Sequence, residues 1–405
     1  MPLRHSYPLT CAPLLARQHQ HDVSWAERVP AVGLAFSPNA TSLAVASCDA
    51  LVRVLKLPVS RHRHSASKEP GGCLTLVGHT ERLHSVAYSH DGSMVVSSSA
   101  DRSVRVWSID GRQDACTLLL DRVNRHTSSP SQRSKDRPTA KPEAANNRNP
   151  LIEAECRGAA FFYMDRFLLV ASGGNLRQYS YEVADKISST KQKGVEAAAA
   201  AAVSEERGRY RLAQAWGPQQ LGGIAVTSFT CCNAMLSPLV VAAASNRSLL
   251  LVDAATGSVA RTIPDAHERA AHTVCLPSPS PFVALDSAHY DIFLSAASDG
   301  CIALWDIRAN RVSMRLRGGH VNRREHGVAV ALSPCIRYVA AGSEERRPCL
   351  YDLRSGSHLP PVSGKGHGEA AVAVAFNPAH PQWASAAHDG SVHFYTAAAT
   401  TEEGN

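Results

Sequence analysis

The chain has 405 residues, of which 44% are hydrophobic, 19% are charged and only 6% are aromatic. This is enough apolar material for a full globular core, which excludes a wholly disordered chain. No run approaches the roughly 18 consecutive apolar residues of a membrane span. The first residues lack the apolar segment of a secretory signal peptide, so we expect an intracellular protein. Eleven cysteines without a C-x-x-C pair are typical of free thiols in a reducing compartment.

Short strands separated by turn residues begin near the N-terminus. The apolar segment 32–36 is followed by Ser37-Pro38 and then by a second apolar segment at 52–55. This pattern predicts a first unit of antiparallel strands over residues 28–57. We also expect residues 9–17 to supply the outer strand of the last unit, which would close the units into a ring.

The second unit, residues 78–120, is the most regular. His79 precedes a strand at 85–89, a turn follows, and a second strand leads into Ala100-Asp101-Arg102 and a third strand that ends at Trp107. The same order of strands and turns recurs along the chain with weaker patterns. The further units are predicted at 156–183, 221–263, 266–316, 318–359 and 366–396.

Two segments interrupt these units. Residues 121–150 hold seven Lys and Arg against three Asp and Glu. Their net charge of +4 is more than half of the formal net charge of +7 of the whole chain. Because their Ser-, Pro- and Asn-rich composition cannot bury enough apolar area, we predict a flexible basic insertion at 123–155. Residues 185–208 form an alanine-rich insertion, which is either an expanded loop or a helix that a partner orders. Residues 397–405 are a tail.

Four polar positions recur at fixed spacing. The intervals that separate His79, Ser97, Asp101 and Trp107 are repeated in the last unit, with Tyr395 in place of the tryptophan. Polar groups buried between sheets must find partners, so we expect each set to form one hydrogen-bonded cluster. The other members are His367, Ser385 and Asp389 in the last unit, and Ser295, Asp299 and Trp305 in the fifth, with His267 as its fourth member.

These repeats resemble the WD-repeat (WD40) β-propeller family, whose structural tetrad has His, Ser or Thr, Asp and Trp in this order. The resemblance implies an all-β fold: a single seven-bladed WD-repeat β-propeller with two long loop insertions. Residues 157–396 also resemble, more closely, the family of WD repeat-containing protein 27. That family has no assigned activity to transfer.

No motif for catalysis or cofactor binding is present. The chain lacks a phosphate-binding loop, a nucleophile elbow and an HExxH motif. The aspartates at 101, 299 and 389 recur once per unit, which favours a structural role. We therefore predict no enzyme activity, no cofactor and no metal site. The arginine pairs do not match the phosphoinositide-binding motif of related propellers, and no aromatic residues interleave the basic segment, which argues against membrane and nucleic-acid binding.

Two arginines follow third strands in neighbouring units. Trp305-Asp306-Ile307-Arg308 and Tyr351-Asp352-Leu353-Arg354 resemble the WDxR boxes by which substrate receptors dock on the adaptor of cullin–RING ubiquitin ligases. In that interpretation Arg308 and Arg354 donate bidentate hydrogen bonds to the adaptor. The alternative is that each arginine simply pairs with the aspartate two residues before it.

A second arginine pair opens the sixth unit. Arg323 and Arg324 lie in the loop Gly319–His326, on the predicted face of the histidine loops. We predict that they either anchor an acidic segment of a protein partner or pair locally with Glu325. The sequence thus predicts a non-catalytic protein–protein interaction scaffold within a larger assembly, with a ubiquitin-ligase substrate receptor as the alternative function.

Overall fold

The computed structural model describes residues 18–23, 28–57, 72–109, 116–120, 152–182, 209–217, 219–221, 223–233, 237–278, 280, 291–309, 311–323, 327–360 and 365–397. The described residues form 28 strands and no helix. The strands pair into seven antiparallel sheets of four strands each. The predicted all-β, seven-bladed propeller is therefore confirmed.

Each blade consists of four strands that are numbered in chain order. The first three blades contain β2 (Ala31–Phe36), β3 (Ser42–Ser47), β4 (Val52–Lys56) and β5 (Cys73–Leu76); β6 (Leu83–Tyr88), β7 (Met94–Ser99), β8 (Val104–Ser108) and β9 (Cys116–Leu120); and β10 (Cys156–Phe162), β11 (Phe167–Ser172), β12 (Asn175–Glu182) and β13 (Arg209–Trp216). The next two contain β14 (Val226–Cys231), β15 (Leu239–Ala244), β16 (Leu249–Asp253) and β17 (Ser258–Ile263); and β18 (Ala271–Cys275), β19 (Ile292–Ala297), β20 (Cys301–Asp306) and β21 (Arg311–Leu316). The last two contain β22 (Val330–Leu332), β23 (Tyr338–Ala341), β24 (Cys349–Asp352) and β25 (Ser357–His358); and β26 (Ala371–Phe376), β27 (Gln382–Ala387), β28 (Val392–Ala397) and β1 (Gln18–Val23).

The outer strands of blades 1 and 3 lie beyond the predicted bounds. β5 follows residues 58–71 and β13 follows residues 183–208, whereas the predicted units end at 57 and 183. In both blades a long connection separates the third strand from the fourth. The fourth strand therefore stands apart from the apolar pattern that identifies the other three.

The ring closes through strands from the two ends of the chain. β1 pairs antiparallel with β28, from Gln18 opposite Ala397 to Val23 opposite Val392. The closing strand begins at Gln18, whereas the predicted segment 9–17 lies outside the described residues. This pairing covers the edge of β28 and holds the two ends of the chain in one sheet.

The hydrophobic core lies between neighbouring blades. All six residues of β3 are buried, as are five of the six residues in β7, β11 and β15. Both faces of these second strands are packed against neighbouring blades. Their sequences are therefore continuous runs of apolar or small residues and do not alternate between apolar and polar residues. Between blades 2 and 3, for example, Val96 and Leu120 share a cluster with Phe161, Leu168 and Tyr179.

The two predicted insertions fall almost wholly outside the described residues, as does the tail beyond residue 397. Within the described part of the chain, no helix has the length and hydrophobicity of a membrane span. Seven cysteines of the described part of the chain are free thiols: Cys48, Cys156, Cys231, Cys275, Cys301, Cys335 and Cys349.

Candidate interaction face

The connections of each blade alternate between two ends of the sheet. Because the four strands are antiparallel, the turn between second and third strands lies at the same end as the loop that enters the next blade. We call this end the histidine-loop face. The turns between third and fourth strands lie at the other end, the opposite face.

In blade 2, a chain of hydrogen bonds joins the entering loop to the turn between β7 and β8. His79 Nδ1 lies 2.8 Å from Asp101 Oδ2, and His79 Nε2 lies 2.8 Å from Ser97 Oγ. The indole N–H of Trp107 donates to the same Ser97 hydroxyl at 2.8 Å. Asp101 also accepts the backbone N–H of Thr80. These bonds fix both connections of the histidine-loop face to the buried centre of the blade.

Burial and hydrogen bonding together set the pKa values of the blade 2 cluster. Burial lowers the pKa of His79, although the hydrogen bond and charge of Asp101 act in the other direction. Burial opposes ionisation of Asp101, but hydrogen bonds from His79 and Ser103 hold the pKa of this carboxyl well below its usual range. The cluster is therefore a structural arrangement with an ionised aspartate.

Blade 7 has the same arrangement, except that a serine hydroxyl lies between the histidine and the aspartate. His367 Nε2 lies 2.6 Å from Ser385 Oγ, and Tyr395 Oη lies 3.2 Å from that hydroxyl. His367 Nδ1 contacts Ser391 Oγ at 2.6 Å rather than the carboxylate. Ser391 Oγ in turn donates to Asp389 Oδ1. The serine hydroxyl thus relays the contact between histidine and aspartate.

The serine two residues after the aspartate is a member that the sequence prediction missed. In blade 2, Ser103 Oγ donates to Asp101 Oδ1 at 2.6 Å and lies 3.2 Å from His79 Nδ1. Asp-x-Ser at 101–103 and again at 389–391 was visible in the sequence. The recurrence of this pair in two turns could have identified it.

Blade 5 departs from the other two. His267 Nε2 lies 2.6 Å from Ser295 Oγ, and Trp305 Nε1 donates to this hydroxyl at 2.7 Å. His267 Nδ1 is 3.5 Å from Asp299 Oδ2 and makes no hydrogen bond. Cys301 occupies the position that serine has in blades 2 and 7. The expected four residues are therefore brought together, but the bond between histidine and aspartate is not formed.

Blades 1 and 6 use other residues on this face: those of blade 1 hold the turn between its second and third strands, and those of blade 6 hold its entering loop. In blade 1, Arg53 Nη1 donates to Ser47 Oγ at 3.1 Å, and the guanidinium pairs with Asp49. In blade 6, His320 Nδ1 lies 2.7 Å from Tyr351 Oη. Neither set follows the tetrad spacing, so the sequence pattern does not identify them.

Of the arginine pair predicted to bind a partner, Arg323 lies on the histidine-loop face. Its guanidinium is 3.4 Å from Glu345 Oε1, and its backbone N–H donates to Glu344. Its side chain is 72% exposed. Arg324 and its predicted local partner Glu325 lie outside the described residues. The observed ion partner of Arg323 therefore comes from the turn between β23 and β24.

The arginines of the two WDxR-like boxes lie on the opposite face. Arg308 Nη2 is 2.5 Å from Asp291 Oδ2, while Asp306 accepts the backbone N–H groups of Arg308 and Ala309. The pairing expected between Arg308 and Asp306 side chains is thus replaced by a pairing with Asp291. Physically, the carboxylate of Asp306 closes the turn, and this leaves the arginine to a neighbouring loop.

The second box is arranged in a similar way. Asp352 accepts the backbone N–H of Arg354 at 2.9 Å and pairs with Arg337 Nη2 at 3.1 Å. Arg354 is exposed on the turn between β24 and β25. Its expected pairing with the Asp352 side chain is taken by Arg337, which is almost fully buried beside that carboxylate.

A cavity of about 450 Å³ opens on the histidine-loop face between blades 4 and 5. It is lined by three arginines, two carboxylates and a histidine: Arg247, Arg315, Arg317, Asp265, Glu268 and His267. Two of the arginines have local acidic partners, since Arg247 pairs with Asp265 and Arg317 lies 3.7 Å from Glu268.

Comparison with known families agrees with the repeats described above. Two segments of the chain match the family model of the WD domain, G-beta repeat: residues 72–108 and residues 360–396. The first contains β5 to β8 and the second contains β26 to β28. The two matches coincide with the clusters of blades 2 and 7, which together with the seven sheets support the WD-repeat β-propeller family.

Proposed function

We propose that this propeller with WD repeats is a non-catalytic scaffold that binds other proteins as a subunit of a larger assembly. The observation that carries the proposal is the fixing of the histidine-loop face. In blades 2 and 7, hydrogen bonds from a buried histidine and from the backbone beside it tie the entering loop to the neighbouring turn. A surface that is rigid before binding loses little conformational entropy when a partner docks. Such a scaffold needs neither cofactor nor catalytic residue.

The binding site proposed on this face is centred on Arg323 and Arg324. Arg323 is highly exposed, and its contact with Glu345 is an exposed ion pair of a kind that contributes little free energy. An acidic segment of a partner could therefore replace Glu345 at small cost. Arg346 and Arg347 lie in the same turn as Glu345 and add positive charge beside it.

Reversal of the two charges tests this proposal. Replacing Arg323 and Arg324 by Glu is expected to weaken capture of the native partner by at least about 2 kcal/mol, with an unchanged melting temperature. The matched control replaces Arg308 and Arg354 by Glu, which changes the same charge on the opposite face. Quantitative affinity capture with mass spectrometry compares both variants with the wild type. Equal partner recovery from all three proteins at low salt would place the interface elsewhere.

The alternative function, a substrate receptor of a cullin–RING ubiquitin ligase, relies on the opposite face. The exposure of Arg354 supports it, whereas adaptor docking through Arg308 requires that its pair with Asp291 be broken. Replacing Arg308 and Arg354 by Ala should abolish co-purification of a cullin adaptor in that case. Unchanged recovery, or none from the wild type, would remove this function.

The resemblance of residues 157–396 to the family of WD repeat-containing protein 27 stays a prediction, and no activity is derived from it. The predicted lack of membrane and nucleic-acid binding, and the predicted intracellular location, belong to the same proposal and have the same sequence arguments as their support.

A further inference from the structure

Three groups with metal-binding chemistry meet in blade 5. His267 Nδ1, a carboxylate oxygen of Asp299 and Cys301 Sγ all lie within 4.8 Å of one another. They are the only group of three or more His, Cys, Asp and Glu residues with this proximity among the described residues. Zn²⁺ is commonly bound by these three ligand types, at about 2.0–2.3 Å from each atom.

The imidazole of His267 is the second observation that points to a ligand. Its side chain is fully buried, and Nδ1 has no hydrogen-bond partner. In blades 2 and 7 the corresponding nitrogen is bonded, at 2.8 Å to Asp101 and at 2.6 Å to Ser391. At 3.5 Å from the Asp299 carboxylate, the buried Nδ1 of His267 is incompletely satisfied, and a bound metal ion would give it a closer contact.

We propose that His267, Asp299 and Cys301 form a Zn²⁺ site with three protein ligands. Ser295 Oγ, 2.6 Å from His267 Nε2, holds the imidazole ring so that Nδ1 faces the other two groups. Backbone N–H groups of Glu268 and Cys301 hold the Asp299 carboxylate. Outer contacts of this kind orient metal ligands in proteins.

The distances fit the proposal with small side-chain movements. Bond lengths near 2.0–2.3 Å in a tetrahedral arrangement separate neighbouring ligand atoms by about 3.5 Å. His267 Nδ1 and Asp299 Oδ2 are already 3.5 Å apart. His267 also lines the cavity between blades 4 and 5.

The local charge is compatible with a cation because two ligands are anions. Cys301 loses its proton when the metal binds, and one thiolate and one carboxylate then neutralise Zn²⁺, so the occupied site carries no net charge. Arg315 Nη1 donates to Cys301 Sγ at 3.6 Å. Hydrogen bonds to metal-bound sulfur are a common outer-shell interaction, so this contact is retained when the metal binds.

Serine in place of Cys301 separates metal binding from folding. Blades 2 and 7 show that serine at this position is compatible with the cluster. We expect the reduced, chelator-treated full chain to bind one Zn²⁺, measured in competition with a chromophoric chelator. Cys301→Ser should weaken binding by at least about 100-fold and leave the near-ultraviolet circular dichroism unchanged. Cys335→Ser, at a thiol outside the cluster, is the matched control and should bind Zn²⁺ as the wild type does.

Cobalt provides a second readout of the same site. Co²⁺ bound to the wild type and to Cys335→Ser should show a thiolate-to-metal charge-transfer band that Cys301→Ser lacks. Two results would overturn the proposal: a wild type that binds no Zn²⁺ at micromolar concentrations, or equal binding by Cys301→Ser and the wild type.

Discussion

The carboxylate of Asp101 lies 2.8 Å from the imidazole nitrogen Nδ1 of His79, 22 residues earlier in the chain. This contact connects the turn after β7 with the loop that enters blade 2. A loop on the proposed interaction face is thereby held by a group inside the blade, so its position depends on packing rather than on a partner.

Removal of this carboxylate should destabilise the fold. We expect Asp101→Ala to lower the free energy of unfolding by about 1–3 kcal/mol, because His79, Ser103 and Thr80 each lose an acceptor. Urea unfolding measures the difference. Glu81→Ala, at an exposed position of the same loop, is the control and should cost far less. Equal stability of the two variants would show that the contact is dispensable.

The ring of His367 should resist protonation. Burial, and then the charge of the stacked His393, lower the pKa of His367 to about 3 in spite of Asp389. Between this value and the unfolded pKa near 6.5, only the unfolded chain binds the proton. Protonation of the unfolded chain therefore lowers the free energy of unfolding as the pH falls below 6.5. The loss is about 2 kcal/mol at pH 5, and above pH 6.5 there is none. An NMR titration of the histidine rings checks it, and a midpoint near 6.5 for His367 would contradict it.

Two arginine–aspartate pairs on the opposite face should contribute differently to the free energy of unfolding. Arg337 and Asp352 are both about nine-tenths buried, whereas Arg308 is 69% exposed beside Asp291. Arg337→Ala leaves a buried carboxylate without its cation and should cost about 3 kcal/mol. Arg308→Ala should cost less than about 1 kcal/mol. Thermal and urea unfolding of both variants test this order, which equal losses would refute.

The closing strand should be required for a stable ring. Deletion of residues 1–23 removes β1 and leaves β28 as an open edge in blade 7. We expect a lower melting temperature and a tendency to self-associate, since an open edge strand can pair with another chain. Deletion of residues 1–17, which retains β1, is the matched control. Light scattering and thermal unfolding should separate the two, and identical behaviour would show that closure contributes nothing.

Much of the candidate face could be predicted because tetrad residues recur at fixed intervals. The spacing from His79 to Trp107 is set by strand lengths and tight turns that both matching blades share, so it is visible without a structure. Arg53 in blade 1 could not be found in this way. It reaches Ser47 and Asp49 from the third strand rather than from the entering loop, and no spacing rule includes it.

The sequence by itself determined the number of blades, their order and the clusters of blades 2 and 7, because local strand and turn patterns repeat along the chain. Only the tertiary structure decided which groups pair across the blades. It paired Arg308 with Asp291 in place of Asp306, it placed Glu345 beside Arg323, and it left His267 without the hydrogen bond that His79 makes. The physical reason is that differences of a few tenths of an ångström decide whether two groups form an ion pair or a hydrogen bond. These distances join residues that are far apart in the chain. Strand periodicity fixes which face a side chain lies on, but packing fixes which atom it meets.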